Sequence, residues 1–251
     1  MKYFIKRDYI EYFKNTEAEF LPLEEMTECC DVVIAVGGDG TIIHAAKIGK
    51  PTLGINAGRI AFMAGLEPTE LEMLSALKSG EYEIDRRMML RAEIVSPDGE
   101  ILSTHYCVND AVVARGLQIK MDDFIVEHNG KFLNKYTADG IIFSTPTGST
   151  AYNLSAGGPI VEPDARNMII TPICAHDMAS RCIVTSDRRV ITVRMTQNAR
   201  RNAFVSVDGG KSVRLNLGDT VTIRRSKLET KLLKLNDRSF YDVVNAKFQG
   251  K

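Results

Sequence analysis

Gly37-Gly38-Asp39-Gly40-Thr41 sets one carboxylate among glycines, directly after the apolar run Val32-Val33-Ile34-Ala35-Val36. These residue types suit phosphate chemistry. Glycines let a backbone come close to a ligand. Free N–H groups at a helix start attract phosphate. A carboxylate within reach of a hydroxyl can orient it and take its proton. A second stretch, residues 137–160, is dominated by small residues and hydroxyls. Ser144, Thr145, Thr147, Ser149, Thr150 and Ser155 offer short donors and acceptors, and Tyr152 offers a flat ring. Such a segment can line a pocket for a polar, planar ligand. It can equally be a loop that caps its own helix.

The elements that must hold these groups can be read from periodicity. The run 32–36 is long enough for a buried parallel strand and too short for most helices. Residues 41–48 read as a helix ending at Gly49. Asp39 is therefore expected at the carboxyl end of a strand, beside a helix N-terminus, the edge where open α/β sheets bind ligands. Before residue 85, strands at 2–6 and 51–56 alternate with helices at 9–15 and 70–79, the last with Leu71, Leu74 and Leu77 on one face. That alternation predicts a parallel sheet. After residue 85 the pattern turns strand-like. Residues 89–96 and 101–108 form a hairpin around Pro97-Asp98-Gly99, followed by strands at 112–115, 124–128, 140–144, 167–173, 190–195, 203–207 and 220–224. An antiparallel β domain is expected there. Residues 149–157 read as a short helix, and 236–248 as a helix that packs back on the first domain. The chain is thus expected to be a two-domain α+β protein: an α/β domain over 1–85 with the tail 236–251, and an all-β domain over 86–235.

Composition narrows the function. The 251 residues carry 32 basic and 32 acidic side chains, and this balance argues against a bulk nucleic-acid or membrane binder. No apolar run reaches the length of a membrane span, and residues 1–8 lack a signal peptide's apolar core. A cytoplasmic location is expected. Cys29, Cys30, Cys107, Cys174 and Cys182 fit no C-x-x-C pair or zinc spacing, so reduced thiols serving mostly as packing residues are expected. No Gly-Lys-Ser/Thr follows the glycine turn, so it is not a Walker A loop, and no G-x-G-x-x-G marks a Rossmann dehydrogenase.

Taken in order and spacing, these motifs resemble the NAD kinase family over nearly the whole chain. The matching pieces are Gly-Gly-Asp-Gly-Thr (37–41), Gly-Ile-Asn-Ala-Gly (54–58), Val-Asn-Asp-Ala (108–111) and Thr-Ala-Asp-Gly (137–140). The longest is Ser-Thr-Pro-Thr-Gly-Ser-Thr-Ala-Tyr-Asn-Leu-Ser-Ala-Gly-Gly-Pro-Ile (144–160), and Val-Ser-Val-Asp-Gly (205–209) is a weaker match. The first motif is shared with diacylglycerol and sphingosine kinases and resembles part of phosphofructokinases. The 144–160 segment is the specific one. The resemblance implies a Rossmann-like, phosphofructokinase-like N-terminal α/β domain and a β-rich C-terminal domain, with the site between them. It implies phosphorylation of the 2′-hydroxyl of the adenosine ribose of NAD to give NADP. The implied donor is ATP with a divalent metal, Mg²⁺ expected, and polyphosphate is used by some members. A cytoplasmic homo-oligomer, dimer or tetramer, is implied as well.

Residue by residue, Asp39 matches the family's catalytic aspartate. Gly37, Gly38, Gly40 and Thr41 are expected to hold donor phosphates, with His44 a turn later either reaching a phosphate or facing solvent. Mg²⁺ is expected on phosphates and water, so no protein metal ligand is named. Asn109 and Asp110 match an Asn-Glu pair near the adenine, Asp110 being one methylene shorter than the usual Glu. Thr147, Thr150, Ala151, Tyr152, Asn153, Leu154 and Ser155 match the surroundings of the adenine and its ribose. Tyr152 either meets the base or is a core tyrosine. Thr137, where some relatives carry Arg, and Asp139 match positions toward the nicotinamide half. Cys174 aligns with a nicotinamide-side backbone position or is a buried thiol. Two departures stand out. Ala61 replaces a family glycine in 58–63, and Ala175-His176-Asp177-Met178 stands where many relatives read Pro-His-Ser-Leu. The alternatives are a lipid or sphingoid kinase sharing the Gly-Gly-Asp-Gly turn, and a non-catalytic NAD(P)-binding module.

Overall fold

The structure, a computed structural model, describes residues 2, 4–12, 16–58, 61–116, 121–177, 179–196 and 203–249. The chain divides into two compact units, Met1–Arg86 with Thr230–Lys251, and Arg87–Glu229.

The first unit opens with β1 (Phe4–Lys6), a 3-10 turn (Arg7–Tyr12) and β2 (Glu19–Leu21), which pairs parallel with β1. The expected helix at 9–15 is this 3-10 turn; residues 13–15 lie outside the described residues, as does Tyr3 of the expected first strand. Helix α1 (Leu23–Cys29), unread in the sequence, precedes β3 (Val33–Gly37). Helix α2 (Asp39–Ala46) then leads to β4 (Thr52–Asn56), which runs parallel to β3 with Val33 opposite Thr52 and Gly37 opposite Asn56. All of β4 is buried. Gly54 permits this, because a Cβ there would come within 2.5 Å of the Ile42 Cδ1 of α2. The run 32–36 departs from expectation. Among the described strands β3 pairs only with β4, and Ile34 and Val36 remain 46% and 62% exposed while Val33 and Ala35 turn inward. A 3-10 helix (Pro68–Ser75) and α3 (Ala76–Ser79) replace the single α-helix expected over 70–79. Leu74 and Leu77 pack against Leu53, Ile55, Leu66 and Leu233. Leu71, beside the non-helical Glu70, stays 47% exposed and leaves the expected apolar face.

The second unit is built of strands. In chain order they are β5 (Glu83–Val95, which starts in the first unit), β6 (Ile101–Cys107), β7 (Asp110–Arg115), β8 (Asp122–His128), β9 (Lys131–Ala138) and β10 (Gly140–Ser144). A 3-10 turn (Thr147–Thr150) and α4 (Tyr152–Ser155) follow. Then come β11 (Asn167–Ile173), β12 (Ile183–Ser186), β13 (Ile191–Met195), β14 (Ala203–Val207), β15 (Val213–Leu215) and β16 (Thr220–Lys234). One sheet has the order β12-β11-β10-β7-β14-β15, with every neighbouring pair antiparallel. In the other, β13 lies between β16 and β8, β8 pairs with β9, and β5 pairs with β6, again antiparallel. Both sheets feed one buried cluster. Val113, Ile141, Phe143 and Ile170 come from the first, and Leu90, Phe124, Val193 and Ile223 from the second. Alternation along β8 buries Phe124 and Val126 and leaves their neighbours partly exposed, as a sheet with one covered face requires. Buried Glu93 is matched by Arg91 and by Arg224 at 2.6 Å, so its charge is compensated.

From Thr230 the chain again belongs to the first unit. Leu232, near the end of β16, pairs parallel with Thr52, and α5 (Phe240–Phe248) opens on a capping box of Ser239 and Asp242. The helix expected from residue 236 thus begins four residues later, directly after its Ser239 cap. No helix among the described residues is long and apolar enough to cross a membrane.

Candidate functional site

In the first unit the site is built where β3 becomes α2. Gly38 is extended at the N-cap and Asp39 is the first helical residue, earlier than the sequence pattern suggests. A carboxylate there faces the positive end of the helix dipole. Both carboxylate oxygens of Asp39 are engaged. Oδ2 accepts the Phe62 N–H at 3.1 Å and Oδ1 accepts the Met63 N–H at 2.9 Å. The segment carrying those donors is itself tied down. Buried Asn56 accepts the Gly58 N–H at 3.1 Å and donates to Glu67 Oε2 at 2.9 Å, while the Ala57 N–H donates to the Gly37 carbonyl. Ala61 and Met63 are buried; Arg59 and Ile60 lie outside the described residues.

The glycines of the turn are not equivalent. A Cβ at Gly37 would sit 2.5 Å from Thr41 Oγ1, so the fold itself requires glycine there. A Cβ at Gly38 or Gly40 would meet no described atom within 4 Å, and Gly38 has an ordinary φ of −86°. Space beside these two is therefore left open to an approaching group. Thr41 and His44 are exposed on α2.

In the second unit the centre is the turn before β7. Asp208 holds it: its carboxylate accepts the N–H groups of Val108 (2.9 Å), Asn109 (2.7 Å) and Asp110 (3.0 Å). Its own N–H donates to the Asp110 carbonyl, and its φ of 48° is one that Asp tolerates better than most side chains. The hydroxyl-rich segment is laced to the same turn. Thr145 Oγ1 donates to the Val108 carbonyl at 2.6 Å and accepts the Gly148 N–H at 2.9 Å. A Cβ on Gly148 would fall 2.2 Å from the Asn109 carbonyl oxygen.

Several hydroxyls and amides of this segment are spent internally. Ser149 Oγ donates to the Val161 carbonyl and accepts its N–H, both at 3.0 Å. Asn153, expected among the ligand-facing residues, is wholly buried. Its Nδ2 donates to Ser149 and Pro159 carbonyls, and its Oδ1 accepts the Thr171 hydroxyl at 2.7 Å. Its side chain shapes the segment and leaves no group to reach outward. Thr147 is buried with Oγ1 accepting from Arg87 at 3.4 Å, and Thr150 donates to the Thr147 carbonyl at 3.4 Å. Ala151 and Leu154 are half-buried, and Ser155 is exposed.

Tyr152 is 45% exposed, which removes the core reading. Partial burial, then the neighbouring Cys174, Asp110 and Asp139, push its hydroxyl above the usual tyrosine range. It is a protonated donor at neutral pH, and those four residues share one locality. Asp139 stands where the chain leaves β9 for β10 and so crosses between the sheets. Arg115 Nε donates to its Oδ1 at 2.7 Å. Cys174 is exposed at φ 47°, against the expected buried thiol. Of the five free cysteines only Cys107 is buried, so the thiols are not mainly packing residues. The Thr137 hydroxyl is committed to Asp123 at 2.5 Å, and Lys135, then Thr137, hold that carboxyl below the usual aspartate range. Met178, the last residue of the 175–178 stretch, lies outside the described residues.

Sequence reasoning missed the Phe62 and Met63 amides, the Asp208 clamp and the Arg115 partner of Asp139. Only Asp208 carried a signal, the Asp-Gly pair that closes β14.

Comparison with known proteins gives the following. Residues 6–82 match the ATP-NAD kinase N-terminal domain and residues 108–235 the ATP-NAD kinase C-terminal domain. The chain is 38% identical over 229 residues to the NAD kinase of Acetivibrio thermocellus, covering 89% of this chain and 79% of that one. It is 40% identical over 235 residues to the NAD kinase of Magnetococcus marinus, covering 92% and 77%. A crystal structure of an NAD kinase from Archaeoglobus fulgidus in complex with ATP superimposes with a TM-score of 0.75 at 27% identity, covering both chains fully. Yeast NADH kinase complexed with NADH shares the fold, with a TM-score of 0.90 at 23% identity over 99% of this chain and 78% of that one.

Proposed function

The chain belongs to the ATP-NAD kinase family and is an NAD kinase, and from that premise we propose that Asp39 is the base for the 2′-hydroxyl of the NAD adenosine ribose. The observation that carries this reading is the two-point hold on Asp39 by the Phe62 and Met63 amides. It fixes the carboxylate at the end of β3, where it can orient a poor nucleophile and accept its proton as the ribose oxygen attacks the γ-phosphorus of ATP. The open flank of Gly38 and Gly40 supplies backbone N–H groups and room for the triphosphate.

Among the described residues no group of three or more His, Cys, Asp or Glu side chains could hold a metal ion. A Mg²⁺ ion entering with the triphosphate would be carried chiefly by phosphate oxygens and water. When bound, it would supply charge neutralisation on the transferred phosphoryl group. Asn109, Asp110, Tyr152 and Asp139 are proposed as the NAD-binding groups, with the Tyr152 ring against the adenine.

Two substitutions separate these roles. Gly38→Ala leaves the thermal unfolding midpoint within a degree or so, because nothing crowds its Cβ, yet raises KM for ATP at least about tenfold by filling the phosphate approach. Tyr152→Ala raises KM for NAD about five- to tenfold and leaves KM for ATP near the native value. Steady-state kinetics with NADP detection reads both. A Tyr152→Ala enzyme with native KM for NAD places the adenine elsewhere.

A further inference from the structure

The segment that holds Asp39 is itself held, by the end of the chain. Asn236 Nδ2 donates to the Gly65 carbonyl at 3.0 Å. Arg238 donates to Glu70 at 2.6 Å and lies 3.5 Å from Glu67 Oε1, the other oxygen of which accepts from Asn56. Lys247, on α5, places Nζ 4.0 Å from the centre of the Phe62 ring. These contacts bracket the two amides that grip the Asp39 carboxylate, and all of them lie within the first unit.

We propose that residues 236–247 form a brace for the catalytic carboxylate, with Lys247 over Phe62 as its decisive contact and Lys247 as a positioning residue. The inference rests on the reading of Asp39 as the base. The physical link is short. A cation over an aromatic face restrains the ring. The ring belongs to the residue that donates to Asp39 Oδ2, and the next residue donates to Oδ1. Lys247 has no carboxylate partner among the described residues, so its charge is directed to the ring and not spent on an ion pair. A contact of this kind, exposed at the surface, adds little to global stability. It acts where small displacements are costly, on the geometry of a proton acceptor.

The test uses the full chain. In Lys247→Ala, kcat falls about two- to fivefold while KM for NAD and for ATP stay unchanged. Lys247→Arg restores kcat, because a guanidinium also stacks on an aromatic face. Phe62→Leu shows the same loss, and adding Lys247→Ala to it costs nothing further, as expected of two groups acting through one contact. Amide hydrogen exchange at Phe62 and Met63 speeds up in Lys247→Ala, while exchange within β4 does not. A raised KM for ATP at native kcat makes Lys247 a phosphate contact and overturns the proposal. Additive losses in the double variant, or unaltered exchange at the two amides, overturn it as well. Asp39→Asn in the same assay separates the two levels. An active Asp39→Asn removes the premise, whereas an inactive one beside a Lys247→Ala of native kcat removes only the brace.

Discussion

Asp39→Asn lowers kcat for NAD phosphorylation by about 10²- to 10⁴-fold, the range for loss of a positioned general base. NAD binding survives. The substitution preserves size, and its Oδ1 can still accept the Met63 N–H, which now meets Asp39 at 2.9 Å. The other position becomes an NH₂ group facing the Phe62 N–H, a donor against a donor, so one of the two holds is lost. An amide also cannot take the ribose proton. Asp39→Glu keeps a carboxylate but moves it by a methylene, away from both amides, and recovers only a small part of the rate. Single-turnover kinetics gives the chemical step, and calorimetric titration with NAD gives binding. A variant with native kcat would falsify the assignment of Asp39 as base.

Asp208→Ala produces the second large effect, by a different route. Three consecutive backbone N–H groups lose one shared acceptor. Partial replacement by water leaves a loss of about 2–4 kcal/mol, and in a chain of this size the unfolding midpoint drops by about 5–10 °C. In the protein that remains folded, KM for NAD rises about tenfold or more, because Asn109 and Asp110 no longer have a fixed backbone. Asp208→Asn keeps one acceptor oxygen but not the charge and falls between. The same scan at Asp123, whose partners are Lys135 and Thr137, gives a smaller change in midpoint, since that pair is partly exposed. Equal losses at the two positions count against a special role for the Asp208 clamp.

The glycine turn, the β-strand before it and the helix after it were legible in the sequence because each is a local pattern. So was the antiparallel character of residues beyond 85, since alternation and turn residues carry it. Strand β9 escaped notice, as Lys131, Asn134 and Lys135 break its apolar alternation. The exposure of Ile34 and Val36 escaped too: an apolar run does not say whether its strand has one neighbour or two. In the hydroxyl-rich segment, pocket and self-capping loop were both open readings, and the internal bonds of the segment are those of a loop that ties itself down. Ser149 and Asn153 are bonded inward, while Tyr152 and Ser155 are presented outward.

The sequence by itself determined the chemistry available. It supplied a carboxylate at a strand end, glycines flanking it, and a stretch of small polar residues around one exposed-capable ring, in an order that belongs to one kinase family. Only the tertiary structure decided which of those groups are free and which are engaged. Asp39 is held by amides 23 and 24 positions away, and Asp208 closes on the N–H groups of residues 108–110 across 98 to 100 positions. A residue type fixes what bonds a side chain can make. Whether those bonds are already made depends on partners brought close by folding, and no local pattern encodes that distance.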